Sequence, residues 1–221
     1  MTTITPDDLV RATGRLPLTR AYDRIAAATM REGAWRPALV DAVARDAGAG
    51  GTVVDVGAGT GTFAIALAAH AAAPSVVGVD GDPAVQALAR RKPDAARVRW
   101  LPGRAEALPL PDASADVVAL SLLLHHLAPA TKRAALAEAH RVLRPGGAVH
   151  VADFGRAQDP LMRAAFGVLQ LIDGRAGTRD HAAGRLPALL AETGFADAAR
   201  WRRLRTAAGS FELLTARRPA P

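Results

Sequence analysis

Two carboxylates bracket a glycine-rich turn in this sequence, and two histidines stand side by side further along. Asp55 precedes Gly57-Ala58-Gly59-Thr60-Gly61, and Asp80 closes the next apolar run, Val76-Val77-Gly78-Val79. Glycine is needed where backbone adopts positive φ or lies against a ligand with no Cβ between them. Two nucleotide classes compete for such a turn. Dinucleotide sites use G-x-G-x-x-G, with a helix N-terminus aimed at a pyrophosphate. Here the spacing is G-x-G-x-G, and Asp55 is awkward beside a pyrophosphate but welcome beside an ammonium group. The turn therefore prefers a ligand with a cationic head. A carboxylate at Asp80, about twenty residues beyond the turn, is placed to accept both hydroxyls of a ribose. That feature suits NAD equally well and decides nothing alone.

The second group is His125-His126, just after Leu122-Leu123-Leu124, with Asp153 at the end of a later apolar run. A histidine or carboxylate at the ligand end of a sheet can act as a base or hold a substrate by hydrogen bonds. A histidine after three leucines also packs and bonds locally, and Asp153 can equally cap the loop that follows it. His70, His140 and His150 fall within element patterns and read as structural. With no cysteine there is no disulfide framework, no thiolate zinc site and no thiol nucleophile.

These residues are positioned by short β-branched runs alternating with helical patterns. Strands are expected at Thr52–Val56, Ser75–Asp80, Arg97–Leu101, Asp116–Ser121 and Ala148–Asp153, with helices at Thr60–Ala72, Asp82–Arg91 and Thr131–Leu143. Asp82-Pro83 reads as a helix start, and Arg144-Pro145-Gly146-Gly147 as a helix stop and turn. Such alternation implies βαβ units and a parallel sheet covered on both faces. The last third changes rhythm. Helices Pro160–Ile172 and Leu186–Glu192 flank a loop-rich stretch, Asp173–Gly184. Two strands, Phe195–Leu204 and Ser210–Ala216, then follow with a link so short that they must pair antiparallel. The first helix is Ala34–Asp46, and residues 1–33 form an appendage over one end.

The chain has 221 residues, half of them apolar and 22% charged, the composition and length of one α/β domain. Residues Met1–Arg20 lack the apolar core of a secretory signal. The most apolar stretch, Ala64–Val79, is interrupted by His70 and Pro74 and is too short to span a bilayer. A cytoplasmic protein without membrane insertion is expected. Net charge is +7, but 26 of the 28 basic residues are arginine in an alanine-rich chain, the pairing that GC-rich codon usage produces. The arginines are scattered, the densest group being Arg200-Trp201-Arg202-Arg203-Leu204-Arg205. A strand of alternating arginines is usually a solvated face, which argues against a nucleic-acid partner.

Taken in order, Val53–Gly61, Val79-Asp80, Leu108-Pro109-Leu110-Pro111-Asp112 through Asp116-Val117-Val118, Leu124-His125-His126-Leu127 and Arg141-Val142-Leu143-Arg144-Pro145-Gly146-Gly147 resemble the motifs of class I S-adenosylmethionine-dependent methyltransferases. The nearest likeness is to the small-molecule branch that includes ubiquinone/menaquinone methyltransferases, over roughly residues 50–155. The resemblance implies a Rossmann-like α/β fold with a seven-stranded, mostly parallel sheet in the order 3-2-1-4-5-7-6, the last strand antiparallel. It implies that Asp55, Gly57 and Gly59 hold the methionine moiety of the cofactor, while Ala58 and Gly61 shape the turn. Asp80 would bind the ribose hydroxyls, Gly81-Asp82 would flank the adenine, and the backbone of Ala105 would face the adenine edge. Arg104 stands where the family often carries an acid, and arginine accepts no hydrogen bond, so it would turn outward or stack on the adenine. Ser121 would lie beside the methionine arm, and Tyr22-Asp23 resembles part of a covering N-terminal segment.

The same resemblance makes His125 the motif histidine, with His126 and Asp153 as further catalytic candidates and His181, Asp180 and Asp173 as weaker ones. Cysteine-dependent pyrimidine methylation is excluded. The fourth strand ends Leu120-Ser121-Leu122-Leu123, which argues against base-amino methylation. Asp153 is followed by Phe154 rather than by the pair used in metal-dependent catechol methylation, so no metal is expected. The expectation is methyl transfer from S-adenosylmethionine, with S-adenosylhomocysteine as product, to a small organic acceptor at a ring oxygen or carbon. Three alternatives stay open on sequence alone: an RNA methyltransferase using the Arg200–Arg205 stripe, a cofactor-binding protein that no longer methylates, and an NAD-linked enzyme.

Overall fold

The computed structural model describes residues 27–220 and hangs them on one sheet. Its strands are β1 (Thr52–Val56), β2 (Ser75–Asp80), β3 (Val98–Pro102), β4 (Ala115–Ser121), β5 (Leu143–Phe154), β6 (Ala196–Thr206) and β7 (Gly209–Arg217). They lie in the order β3-β2-β1-β4-β5-β7-β6. Strands β1 to β5 pair in parallel, and β7 runs antiparallel to both β5 and β6. The expected order and the antiparallel last strand are both observed. Because β1 pairs with β2 on one side and β4 on the other, the strand order switches direction between β1 and β4. In open α/β sheets the crevice at that switch, at the carboxyl ends, is where ligands bind.

The helices, in chain order, are α1 (Glu32–Ala47), α2 (Thr62–Ala68), α3 (Pro83–Ala89), α4 (Pro129–Val142), α5 (Pro160–Asp173), α6 (Arg175–Ala182) and α7 (Leu186–Glu192). Side chains of period two split the strands between two cores. Val53, Val117 and Leu213 face Trp35 of α1, Phe63 of α2 and Phe166 of α5. Val54, Val118 and Leu214 face Leu136 of α4 and Leu189 of α7. Burial of roughly 1.5–3 kcal/mol per large apolar side chain in these two layers holds the helices on the sheet.

Several expected boundaries move, each for a local reason. The helix expected over Thr60–Ala72 is confined to Thr62–Ala68, because Gly61 enters it at φ 77° and His70 Nδ1 accepts the Ala72 N–H to turn the chain out. Asp82 caps α3 as expected, its Oδ1 accepting from the N–H groups of Ala84 and Val85. Arg144–Gly147, expected as a turn, belongs to β5, which starts at Leu143 opposite Ala115 and absorbs the extra residues as a bulge. The loop expected at Asp173–Gly184 contains α6, which buries Gly177, Thr178, Asp180 and His181 rather than an apolar stripe. The three histidines read as structural do hold structure. His150 Nε2 lies 2.8 Å from Asp46, His140 packs its edge on Phe195, and His70 sits 3.4 Å from Asp41.

Candidate functional site

The glycine turn is tied to the end of β2. The N–H groups of Gly57 and Ala58 both donate to the Val79 carbonyl, at 2.8 and 3.0 Å. Gly59 N–H donates to Asp80 Oδ2 at 2.8 Å, and Asp82 N–H to Asp80 Oδ1 at 2.8 Å. Gly57 and Gly61 have positive φ, and a Cβ on Gly61 would run into the Trp100 indole. Lys92 clips the turn to α2, its Nζ donating to Thr60 Oγ1 at 3.0 Å and Thr62 Oγ1 at 2.9 Å.

The two acids differ in what they lack. Asp80 accepts from the backbone N–H groups of Gly59, Asp82 and Gly81; a carboxylate has about four acceptor positions, so it is not saturated. Burial raises its pKa, and the N–H groups of Asp82 and Gly59 oppose that rise. Asp55 is buried in β1 between Gly78 and Ala119, and its Oδ2 has no hydrogen-bond partner. Burial and then the Asp80 charge push its pKa up to about 7, against the pull of Arg36. The Ala64 N–H bonds to the carboxylate, but a buried oxygen left without a donor is costly unless a cation or donor completes it. An ammonium group with a neighbouring ribose diol fits this arrangement of an Asp55 with one orphaned oxygen, a glycine turn and an incompletely used Asp80.

Around them, Gly81 and Ser121 are half-buried at the ends of β2 and β4. Ala105 packs against the second core, and Ala58 is buried in the first. Arg104 Nε donates to Glu106 Oε1 on the same loop. Tyr22 lies outside the described residues. Beyond β4 the backbone is strained. Leu122 takes φ 54°, its N–H donates to the Ala152 carbonyl at 2.8 Å, and Leu123 then packs over Gly57. A non-glycine residue in that region costs on the order of 1–3 kcal/mol and tends to mark a working loop.

That kink delivers His125 and His126 on a single 3-10 turn, Leu124–His126, next to the end of β5. Asp153 brings them order. Its carboxylate is fully buried, 2.7 Å from His125 Nδ1, 3.6 Å from His181 Nε2, and accepts the Phe154 N–H at 2.7 Å. Burial would raise its pKa, but His125 and His181 outweigh burial and hold it well below the usual carboxylate range. An ionised Asp153 requires the proton on His125 Nδ1, which leaves Nε2 turned outward, 3.8 Å from Asp173 Oδ2. His126 stacks on His125 with centroids 3.9 Å apart. Burial and then the neighbouring His125 depress the His126 pKa to about 3, so it stays neutral.

Sequence reasoning missed Lys132. It is fully buried on α4, and its Nζ donates to the Gly177 carbonyl at 2.8 Å and Asp180 Oδ2 at 3.3 Å. The same Nζ lies 3.5 Å from His181 Nδ1. An ammonium only donates, so His181 must offer a lone pair at Nδ1 and carry its proton at Nε2, facing Asp153. A signal was available: the chain has only two lysines among 26 arginines, Lys92 and Lys132, and each anchors a loop of this site. The Arg200–Arg205 stripe, by contrast, is largely occupied. Arg200 and Arg203 both pair with Glu212 at 3.0 Å, and Arg205 lies 3.5 Å from Asp159.

A switch-point sheet in this order, with a glycine turn and an acid closing β2, gives the chain the Rossmann-like fold of the methyltransferases it is compared with below. Residues 53–147 match the family model described as a methyltransferase domain. Over 137 residues the chain is 37% identical to a demethylmenaquinone methyltransferase of Thermus thermophilus, covering 61% of this chain and 59% of that protein. It is 34% identical over 136 residues to a ubiquinone/menaquinone biosynthesis C-methyltransferase of Dinoroseobacter shibae, covering 60% and 53%. The chain thus spans between half and two thirds of the length of these relatives. Its fold matches that of a Thermotoga maritima protein described as a SAM-dependent methyltransferase and possible histamine N-methyltransferase, with TM-score 0.68 and 22% identity over 90% of this chain and 94% of that one. The YcgJ protein of Bacillus subtilis matches at TM-score 0.65 and 18% identity, over 84% and 98%. Among the described residues no helix is long and apolar enough to cross a membrane.

Proposed function

We propose that the protein transfers a methyl group from S-adenosylmethionine to an oxygen or carbon on the ring of a small organic molecule. The observation that carries this reading is the buried Asp55 carboxylate, whose Oδ2 lacks a donor, set beside the glycine turn and Asp80 at the switch point. Asp55 would take the ammonium of the cofactor and Asp80 its ribose hydroxyls, with Gly57, Ala58, Gly59 and Gly61 forming the floor and Gly81, Arg104, Ala105 and Ser121 the rim. The cofactor supplies an electrophilic methyl group on a sulfonium, so the chain must chiefly align an acceptor and exclude water. Alignment of that kind is worth about 7–11 kcal/mol.

His125, His126 and Asp173 mark the acceptor side. Asp153 and, behind it, His181 and Lys132 keep the His125 ring in one tautomer and one orientation. The relatives named as quinone-pathway methyltransferases support an oxygenated ring as acceptor. Residues 1–33, with Tyr22, would cover the bound ligands over the domain formed by residues 34–221, in the cytoplasm. The paired arginines of β6 leave the RNA reading without support.

The test is in two parts. S-adenosylmethionine and S-adenosylhomocysteine, but not NAD, should stabilise the protein by about 2.7 kcal/mol at a hundred times Kd. For a domain of this size that is a rise of about 5–11 °C in Tm. Formation of S-adenosylhomocysteine is then followed against a panel of phenols and reduced quinones. Stabilisation without turnover on any of them would overturn the acceptor class, and absence of stabilisation would overturn the cofactor site.

A further inference from the structure

On the acceptor side, three metal-type ligands converge from two separate elements. His125 and His126 come from the 3-10 turn after β4, and Asp173 is the last residue of α5. One ligating atom from each lies within 4.8 Å of the others. His125 cannot use Nδ1 outward, since Asp153 holds it at 2.7 Å, so Nε2 is the atom it presents, 3.8 Å from Asp173 Oδ2. The His126 ring lies against the His125 ring at 3.9 Å between centroids. Among the described residues, no hydrogen bond reaches the ring of His126 or the carboxylate of Asp173. Two imidazoles and a carboxylate thus face one another with lone pairs and no shared donor.

We propose that His125 Nε2, the His126 imidazole and the Asp173 carboxylate bind one divalent transition-metal cation, with its remaining positions open to the oxygen of the methyl acceptor. Two imidazoles with one carboxylate form a borderline donor set suited to zinc, iron(II) or manganese(II), and too rich in nitrogen for calcium or magnesium. Three protein ligands rather than four are what an open, reactive site carries. The carboxylate of Asp153 behind His125 is the outer partner that metal-bound histidines commonly have, fixing tautomer and ring plane. Metal–ligand bonds of about 2.0–2.2 Å bring ligand atoms to about 3–4 Å apart, so closing the set takes side-chain movement on the order of an ångström. Asp173 has that freedom at the end of its helix, immediately before Gly174 at φ 87°.

The role in methyl transfer rests on the function proposed above, whereas the cation site itself does not. A ring hydroxyl coordinated to such a cation loses its proton to solvent near neutral pH. The resulting oxide keeps the electron pair, which forms the new bond to the methyl carbon at oxygen, or through the ring at carbon, where the hydrogen on that carbon then leaves as a proton to solvent and restores the ring. The methyl–sulfur bond breaks as it forms, its electron pair staying on sulfur.

The test uses the untagged full chain after chelator treatment, titrated with Co²⁺ and read by its ligand-field absorption bands, then with Zn²⁺ by calorimetry. One Co²⁺ per chain, displaced by Zn²⁺, is the expected result. His126→Ala and Asp173→Asn should each weaken uptake at least tenfold while leaving the Tm rise with S-adenosylhomocysteine intact, which also shows that the variants fold. No saturable uptake, or uptake unchanged in both variants, would overturn the site. A cofactor-induced Tm rise without metal uptake would leave the methyltransferase reading standing, whereas metal uptake without that rise would remove the role in methyl transfer alone.

Discussion

Asp55 sets ligand-free stability against ligand affinity. Its carboxyl has an ordinary pKa of 3.8 when exposed and about 7 in the fold. Between those values the native state holds the extra proton, so stability falls as pH rises through this window and levels off above it. At pH 8 the ionised group costs the ligand-free fold on the order of 4 kcal/mol. Asp55→Asn should therefore raise the Tm of the ligand-free protein at pH 8 and leave it nearly unchanged at pH 4, while abolishing the stabilisation by S-adenosylmethionine. A lower Tm for the variant at pH 8 would show that Asp55 is not an uncompensated charge. The same sign governs binding: affinity should fall as pH drops below 7, because the ammonium must then displace a proton. Asp80→Ala removes a charge-assisted contact to two hydroxyls worth about 1.5–3 kcal/mol, and should raise the cofactor Kd at least tenfold in calorimetry. Asp55, Asp80 and His125 were legible because each sits at a fixed offset from a strand end. Lys132 was not, since it meets His181, itself only a weaker candidate, across 49 positions through a tertiary contact that no local pattern encodes.

At the scale of elements, α6 is the clearest departure between sequence and fold. Its pattern, Arg175-Ala-Gly-Thr-Arg-Asp-His-Ala182, offers no apolar stripe, and what it buries is polar. Lys132 supplies the reason it folds: the Nζ satisfies the Gly177 carbonyl inside the helix and the Asp180 side chain together. Lys132→Met should leave Asp180 with only the more distant Arg185, 4.0 Å away, where removing one partner of a buried pair costs up to about 3–5 kcal/mol. Hydrogen exchange should show protection lost first over residues 175–182, and Kd for S-adenosylhomocysteine should barely move, since the glycine turn lies on a different support. Protection unchanged in α6 would mean that the helix is held by packing alone. The glycine turn makes a complementary case. Gly61 starts α2 at positive φ and lies under the Trp100 indole, so Gly61→Val would combine strain with overlap. It should lower the urea midpoint of the whole protein, because Trp100 is part of the first core. Strand centres were readable from β-branched runs, whereas strand starts were not. β5 extends back to Leu143 only because Ala115 is there to pair with it.

Across the whole molecule, distant segments are tied by charge as well as by packing. Asp46 at the end of α1 meets His150 in the middle of β5 at 2.8 Å and Arg217 at the end of β7 at 2.7 Å. The His150 bond and, after the opposing effect of burial, the Arg217 bond lower the Asp46 pKa. Its contribution to stability is present above the ordinary carboxylate pKa and disappears as pH falls through the lowered value. The overall basic charge was readable from composition, but its disposition was not. Only the fold shows that Arg200 and Arg203 share Glu212 on the neighbouring strand.

The place of β7 reaches beyond the finished structure to how it is made. Because β7 inserts between β5 and β6, the two are not joined until β7 has been made, although β5 already pairs with β4. A nascent chain that has emerged only as far as Thr206 holds β5 as a bare edge, with Asp153 and Phe154 facing the positions that Glu212 and Phe211 will fill. Exposed edges of this kind recruit other strands. A pause in translation before residue 209 would leave β5 and β6 without the strand that joins them.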